Sequence, residues 1–192
     1  MGIDDVKFLA LQDLGRVEMP DFVSSDENDV RTINNQYNFI VSLVLQSYNW
    51  SFCTFKIKLD DPEELLVPFG RFKYKYTMPP KCLYIKGRYS DEKMEHKIHD
   101  YEQQGISIYS NSPEMWVDYT KKISESEMPA YFIDLLRYTL SSKLCPILTG
   151  DNNLYQLLEM NRARAFEVAK NTDFRQSKVK HINLNNILEE RA

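Results

Sequence analysis

A helical hairpin between Ser124 and Phe174 constrains this chain more than any other feature. Pro129 stands where a first helical turn tolerates a missing N–H. Behind it Phe132, Leu135, Leu136, Thr139, Leu140 and Leu144 recur at helical spacing. Gly150, with Asp151, Asn152 and Asn153, ends that helix and offers a cap for the next. Leu154, Leu157, Leu158, Ala165 and Val168 form the expected stripe of the second helix. So short a connection predicts two antiparallel helices, near 129–145 and 152–174, that bury their stripes against each other.

Two further helices are expected upstream. Val6, Leu9 and Leu14 give part of an apolar face near 4–14, and Gly15 ends it. Asp29 can cap a helix to about residue 47, with Ile33, Tyr37, Ile40, Val41, Val44 and Leu45 as its stripe. At Tyr48, Trp50, Phe52 and Phe55 the period falls toward two, which predicts a turn into strand. Short strands are then expected near 56–61, 71–76, 82–85, 106–109 and 115–119. Pro62, Pro68 and Gly70 act as breaks, and the polar stretch 88–104 as a protruding hairpin or loop. The expected fold class is α+β: mainly an α-helical bundle with a small inserted antiparallel β-sheet and an extended C-terminal arm. Residues 1–49 and 120–174 form the discontinuous bundle, 50–119 the β-rich insertion, and 175–192 the arm.

With 192 residues, 43% of them hydrophobic, the chain can bury a sizeable core. A net charge of −4 gives the molecule no general pull toward nucleic acid or acidic lipid. No run reaches the apolar length a bilayer needs, so no membrane partner is expected. The N-terminus lacks the basic-then-apolar pattern of a secretory signal, and Val6 occupies the position where a myristoylation motif needs Ser or Thr. Cys53, Cys82 and Cys145 are odd in number and scattered, as free thiols of a reducing compartment would be. Residues 1–30 carry eight acids against two bases. They make either a solvated acidic surface or a docking face for a basic partner.

No catalytic constellation is legible: there is no phosphate-cradling glycine loop, no nucleophile elbow and no zinc-protease motif. No catalytic residue, cofactor or metal ligand is therefore assigned. His96 and His99 form an H-x-x-H near Glu92, Glu95 and Asp100, which keeps a metalloprotein open as an alternative. His181 reads as a polar contact. Glu125 and Glu127 before Pro129 are explained by the helix dipole. Segment 71–88 holds Arg71, Lys73, Lys75, Lys81, Lys86 and Arg88 with no acid, interleaved with Phe72, Tyr74, Tyr76 and Tyr84. Such interleaving can serve a nucleic-acid-binding module. Strict alternation, however, places the rings and charges of 71–76 on opposite faces. That leaves Arg71, Lys73 and Lys75 as a candidate protein-interface strand. Twelve Tyr residues also favour a component of an assembly.

Four pieces stand in a telling order and spacing: Tyr48-Asn49-Trp50-Ser51-Phe52, the run Phe72 to Leu83, Trp116-Val117-Asp118-Tyr119 before Glu127-Met128-Pro129, and Leu144 to Gly150 ahead of the helix with Arg162, Ala163 and Arg164. In these the chain resembles tail tubular protein A, the head-to-tail adaptor or gatekeeper family of short-tailed bacteriophages. The resemblance covers most of residues 1–175. Pro80 departs from the family's usual Asp, and the 88–104 loop is this sequence's own. The resemblance implies a structural, non-enzymatic virion protein at the head–tail junction, made in the host cytoplasm. It implies a ring of about twelve copies between portal protein and tail nozzle protein, with tail fibre or tailspike proteins as further partners. Double-stranded DNA would pass through the lumen during packaging, retention and ejection, and an acidic or neutral lumen would keep it from sticking. The segment after Phe174 is too polar to hold a core and too apolar for an idle tail. Val179, Ile182, Leu184, Ile187 and Leu188, flanked by Lys178 and Lys180, make it a candidate docking arm, with the portal as the partner the resemblance implies.

Overall fold

The computed structural model describes residues 2–176. Its helices are α1 Ile3–Asp13, α2 Asn28–Gln46, α3 Ala130–Leu148 and α4 Asn152–Gln176. Between α2 and α3 come β1 Thr54–Lys58, β2 Glu63–Phe69, β3 Phe72–Thr77, β4 Cys82–Tyr89, β5 Tyr101–Gln104, β6 Ser107–Ser110 and β7 Trp116–Lys121.

The architecture corrects the expectation of a mainly helical bundle with one small inserted sheet. The strands form two antiparallel sheets, β1-β7-β4 and β2-β3-β6-β5, so the chain is α+β with two substantial parts. Two strands escaped the sequence pattern, and both lie at edges. β2 contains Pro68, which reads as a breaker, yet an edge strand tolerates a missing donor. β5 is exposed at all four positions, so no alternation of apolar and polar residues marks it. Adding these two edges turns a small sheet into a second layer. The layers share a core of Leu59, Tyr76, Ile85, Ile108, Met115, Val117 and Tyr119.

A separate apolar core joins the helices. Its hub is α3, which buries Phe132, Ile133, Leu135, Leu136, Leu140, Leu144 and Cys145 and packs on α1, α2 and α4. Pro129 lies one residue before α3, and its carbonyl accepts the N–H groups of Phe132 and Ile133 at 3.0 and 3.1 Å. The helix continues through Pro146 to Leu148, because a missing N–H in a last turn removes a single backbone bond. Gly150, at φ +65°, adopts the left-handed conformation that ends it. Asp151 Oδ1 then accepts the N–H groups of Asn153 and Leu154 at 2.8 and 3.1 Å and starts α4. The Tyr131 hydroxyl at the start of α3 reaches Asp173 at the end of α4, so the two helices run antiparallel.

Trp50 corrects the expected strand start. A short 3-10 turn, Ser51–Cys53, precedes β1, and Trp50 is fully buried in the helical core. Its indole N–H donates to the Val44 carbonyl at 2.9 Å, and its ring meets those of Tyr48, Phe132 and Phe166 edge-on. Phe55, at the start of β1, packs against both cores.

Candidate assembly surfaces

The strand Arg71-Phe72-Lys73-Tyr74-Lys75-Tyr76 alternates as its sequence suggests. Phe72 and Tyr76 are buried and Lys73 is exposed. Two of its three cations are already neutralised within the chain. Arg71 pairs with Asp100, and Lys75 Nζ lies 2.8 Å from Glu63 Oε2, which raises the lysine's pKa through that hydrogen bond. The main-chain N–H of Lys73 donates to Asn111 Oδ1 at 3.2 Å. Arg71, Lys73 and Lys75 thus form a laced sheet face, not an open row of charge.

The 88–104 stretch folds back as a hairpin on β4. The Ile98 N–H donates to the Arg88 carbonyl at 2.8 Å, and the Ser90 N–H to the His96 carbonyl at 3.0 Å. Asp91 holds the tip by accepting the N–H groups of Glu95 and His96, and those bonds hold its carboxyl below the usual range. His96 Nδ1 sits 3.4 Å from Asp91 Oδ1. Among the described residues no three His, Cys, Asp or Glu side chains converge, so His96 and His99 are not joined by a third ligand. The acidic N-terminal region is likewise partly engaged. Arg16 Nη1 bridges Glu27 and Asp29 at 2.5 and 2.6 Å, which lowers the Glu27 pKa. Glu125 accepts the Tyr37 hydroxyl at 3.1 Å, and Glu127 caps Ser124. The arm residues Lys178, Val179, Lys180, Ile182, Leu184, Ile187 and Leu188, and His181, lie outside the described residues.

The helical layer carries a surface that the sequence stripe read only in part: Leu158 and Ala165 are buried as expected, Leu157 and Val168 are not. The buried face of α4 is Leu158, Ala165, Ala169 and Asp173. Its small alanines allow a close approach to α3, so the larger Leu157 and Val168 turn outward at 53% and 54% exposure. Met160, 71% exposed, lies on the same outer side. At about 100° per residue, Leu157, Met160 and Val168 cluster roughly half a turn from Arg162 and Phe166. Arg162 and Phe166 line a groove of about 230 Å³ with Leu43, Val44, Leu135 and Thr139 from α2 and α3. Phe39 and Leu43, on α2, are 66% and 47% exposed. One helix therefore separates an outward ridge, where exposed Arg164 stands among Leu157, Met160 and Val168, from an apolar groove. The Arg162 guanidinium is fixed at the groove by Glu159, with Nε 3.1 Å and Nη2 2.8 Å from its carboxylate.

Asp173 also had no sequence signal. It is 2% exposed and accepts the Ser51 N–H at 2.9 Å, the Ser51 hydroxyl at 2.8 Å and the Tyr131 hydroxyl at 2.8 Å. Burial, together with that bond, pushes the Tyr131 pKa upward. This carboxylate ties the end of α4 to the start of α3 and to the turn that leads into the sheets. Among the described residues no helix is long and apolar enough to cross a membrane. No family model matches the chain, and no curated protein matches it.

Proposed function

We propose that this chain is a structural protein that assembles head-to-tail into a closed ring, the head-to-tail adaptor between the portal and the tail nozzle of a short-tailed phage. The observation that carries the ring is the ridge and groove on opposite sides of α4. A ring needs two unlike, complementary surfaces on each copy, facing away from each other. Leu157, Met160 and Val168 of one copy would enter the groove beside Leu43 and Phe166 of the next. Exposed apolar clusters of this kind mark interaction sites. The phage setting, the portal, nozzle and fibre partners and the passage of DNA come from the resemblance alone.

Cross-linking tests the interface. In a Cys82→Ser background, Leu43→Cys combined with Val168→Cys should give an inter-chain disulfide ladder in assembled material. Met160→Glu should abolish the ladder and leave the monomer's Tm unchanged. Monomers that never cross-link under assembling conditions would refute the ridge-and-groove contact.

A further inference from the structure

A cleft of about 510 Å³ opens between β4, the 97–99 segment and β5. Arg88 lines it. In the β4–β7 pairing Arg88 stands opposite Val117, a residue of the core between the sheets. Cross-strand partners share a face, so the arginine is carried inward. It is 8% exposed. The Tyr101 ring stacks on its guanidinium at 3.9 Å, and Nη2 donates to Gln103 Oε1 at 2.6 Å. Among the described residues Nε has no partner. Among them no Asp or Glu lines the cleft, while Lys86, Lys97 and His99 do. Burial without an acidic partner lowers the Arg88 pKa. A buried cation is normally paired, and leaving it unpaired is costly.

We propose that the cleft binds a carboxylate, which supplies the counter-charge that Arg88 lacks. The apolar part of the ligand lies against Met78, Ile85 and Ile98. Carboxylate is favoured over phosphate because phosphate sites usually recruit free backbone N–H groups at a helix N-terminus or nest. Here the β4 backbone is committed to β7 and to the hairpin. Carboxylate binding at Arg88 does not depend on the ring proposed above; only the assignment of the carboxylate's source rests on it.

The test uses the full chain, with benzoate as probe and sodium chloride and inorganic phosphate at matched ionic strength as controls. Benzoate should raise the Tm in a concentration-dependent way and shift the Arg88 Nε–H resonance. Arg88→Met should lose both effects. Because the replaced charge is unpaired, Arg88→Met without ligand should be at least as stable as the parent chain. Arg88→Lys should bind about tenfold more weakly, since a point charge replaces a planar fork. Benzoate binding that persists in the assembled ring assigns the site to a free carboxylate. Binding blocked by assembly assigns it to an acidic side chain of a neighbouring chain. Three results would overturn the proposal: no benzoate effect beyond chloride, an equal response in Arg88→Met, or a stronger response to phosphate.

Discussion

Removing the Asp173 carboxylate should loosen the joint between the helices and the sheets. In Asp173→Ala the Ser51 N–H and the Tyr131 hydroxyl lose their acceptor together. Each buried donor left unpaired costs about 1–3 kcal/mol. Ser51 is exposed, so its hydroxyl and part of its N–H can turn to water. Relief of the buried charge returns some of the loss. A net destabilisation of about 2–4 kcal/mol follows from those donor costs. For a chain of this size each kcal/mol lowers Tm by roughly 2–4 °C, so calorimetry should show a fall of roughly 4–16 °C. Asp173→Asn keeps one acceptor oxygen and should fall by less than half as much. Hydrogen exchange at the Ser51 amide should quicken in both variants. A Tm loss under about 2 °C in Asp173→Ala, below the cost of a single orphaned donor, would refute the role assigned to this residue.

The other predictions concern the core, an ion pair and the sheet face. Leu136→Ala, at a fully buried position on the hub helix, should cost about 2–5 kcal/mol in thermal or denaturant unfolding. The hydrogen bond from Arg162 holds the Glu159 pKa below its ordinary value, so the pair's contribution is present above the unfolded carboxylate pKa and is lost as pH falls through the folded one. Glu159→Gln should therefore be less stable than the parent at neutral pH, and the two melting curves should converge in acid. Lys73→Glu on the exposed sheet face should leave Tm within about 2 °C, since surface substitutions away from special features are usually small. Circular dichroism melting checks it.

Helices were legible where large apolar residues recur at 3.6 spacing. The expected stripe Ile33, Tyr37, Ile40, Val41, Val44 and Leu45 is buried along one face of α2, and Asp151 caps α4 in the position its sequence suggests. Within α4 the same rule held only in part: Leu158 and Ala165 are buried as the stripe expects, but Leu157 and Val168 face outward and the small Ala169, which carries little hydrophobic weight, completes the packed face. Trp50 was read with a strand because Phe52 and Phe55 follow at near-alternate spacing, but a single 3-10 turn re-aims it into the helical core. The edge strands β2 and β5 stayed hidden because edge position relaxes both the ban on proline and the need for alternation. Arg88 was legible only as one cation of the basic 71–88 segment, and Asp173 was not singled out. Burial of a lone charge depends on elements distant in sequence: Gln103 and Tyr101 for the arginine, Ser51 and Tyr131 for the aspartate.

Electron cryomicroscopy of phage particles containing this chain tests the adaptor proposal most directly. The proposal predicts a closed ring of this fold between portal and nozzle, with the Leu157, Met160 and Val168 ridge of each copy seated beside Leu43 and Phe166 of its neighbour. Density for this fold elsewhere in the particle, or as isolated copies without a ring, would contradict it.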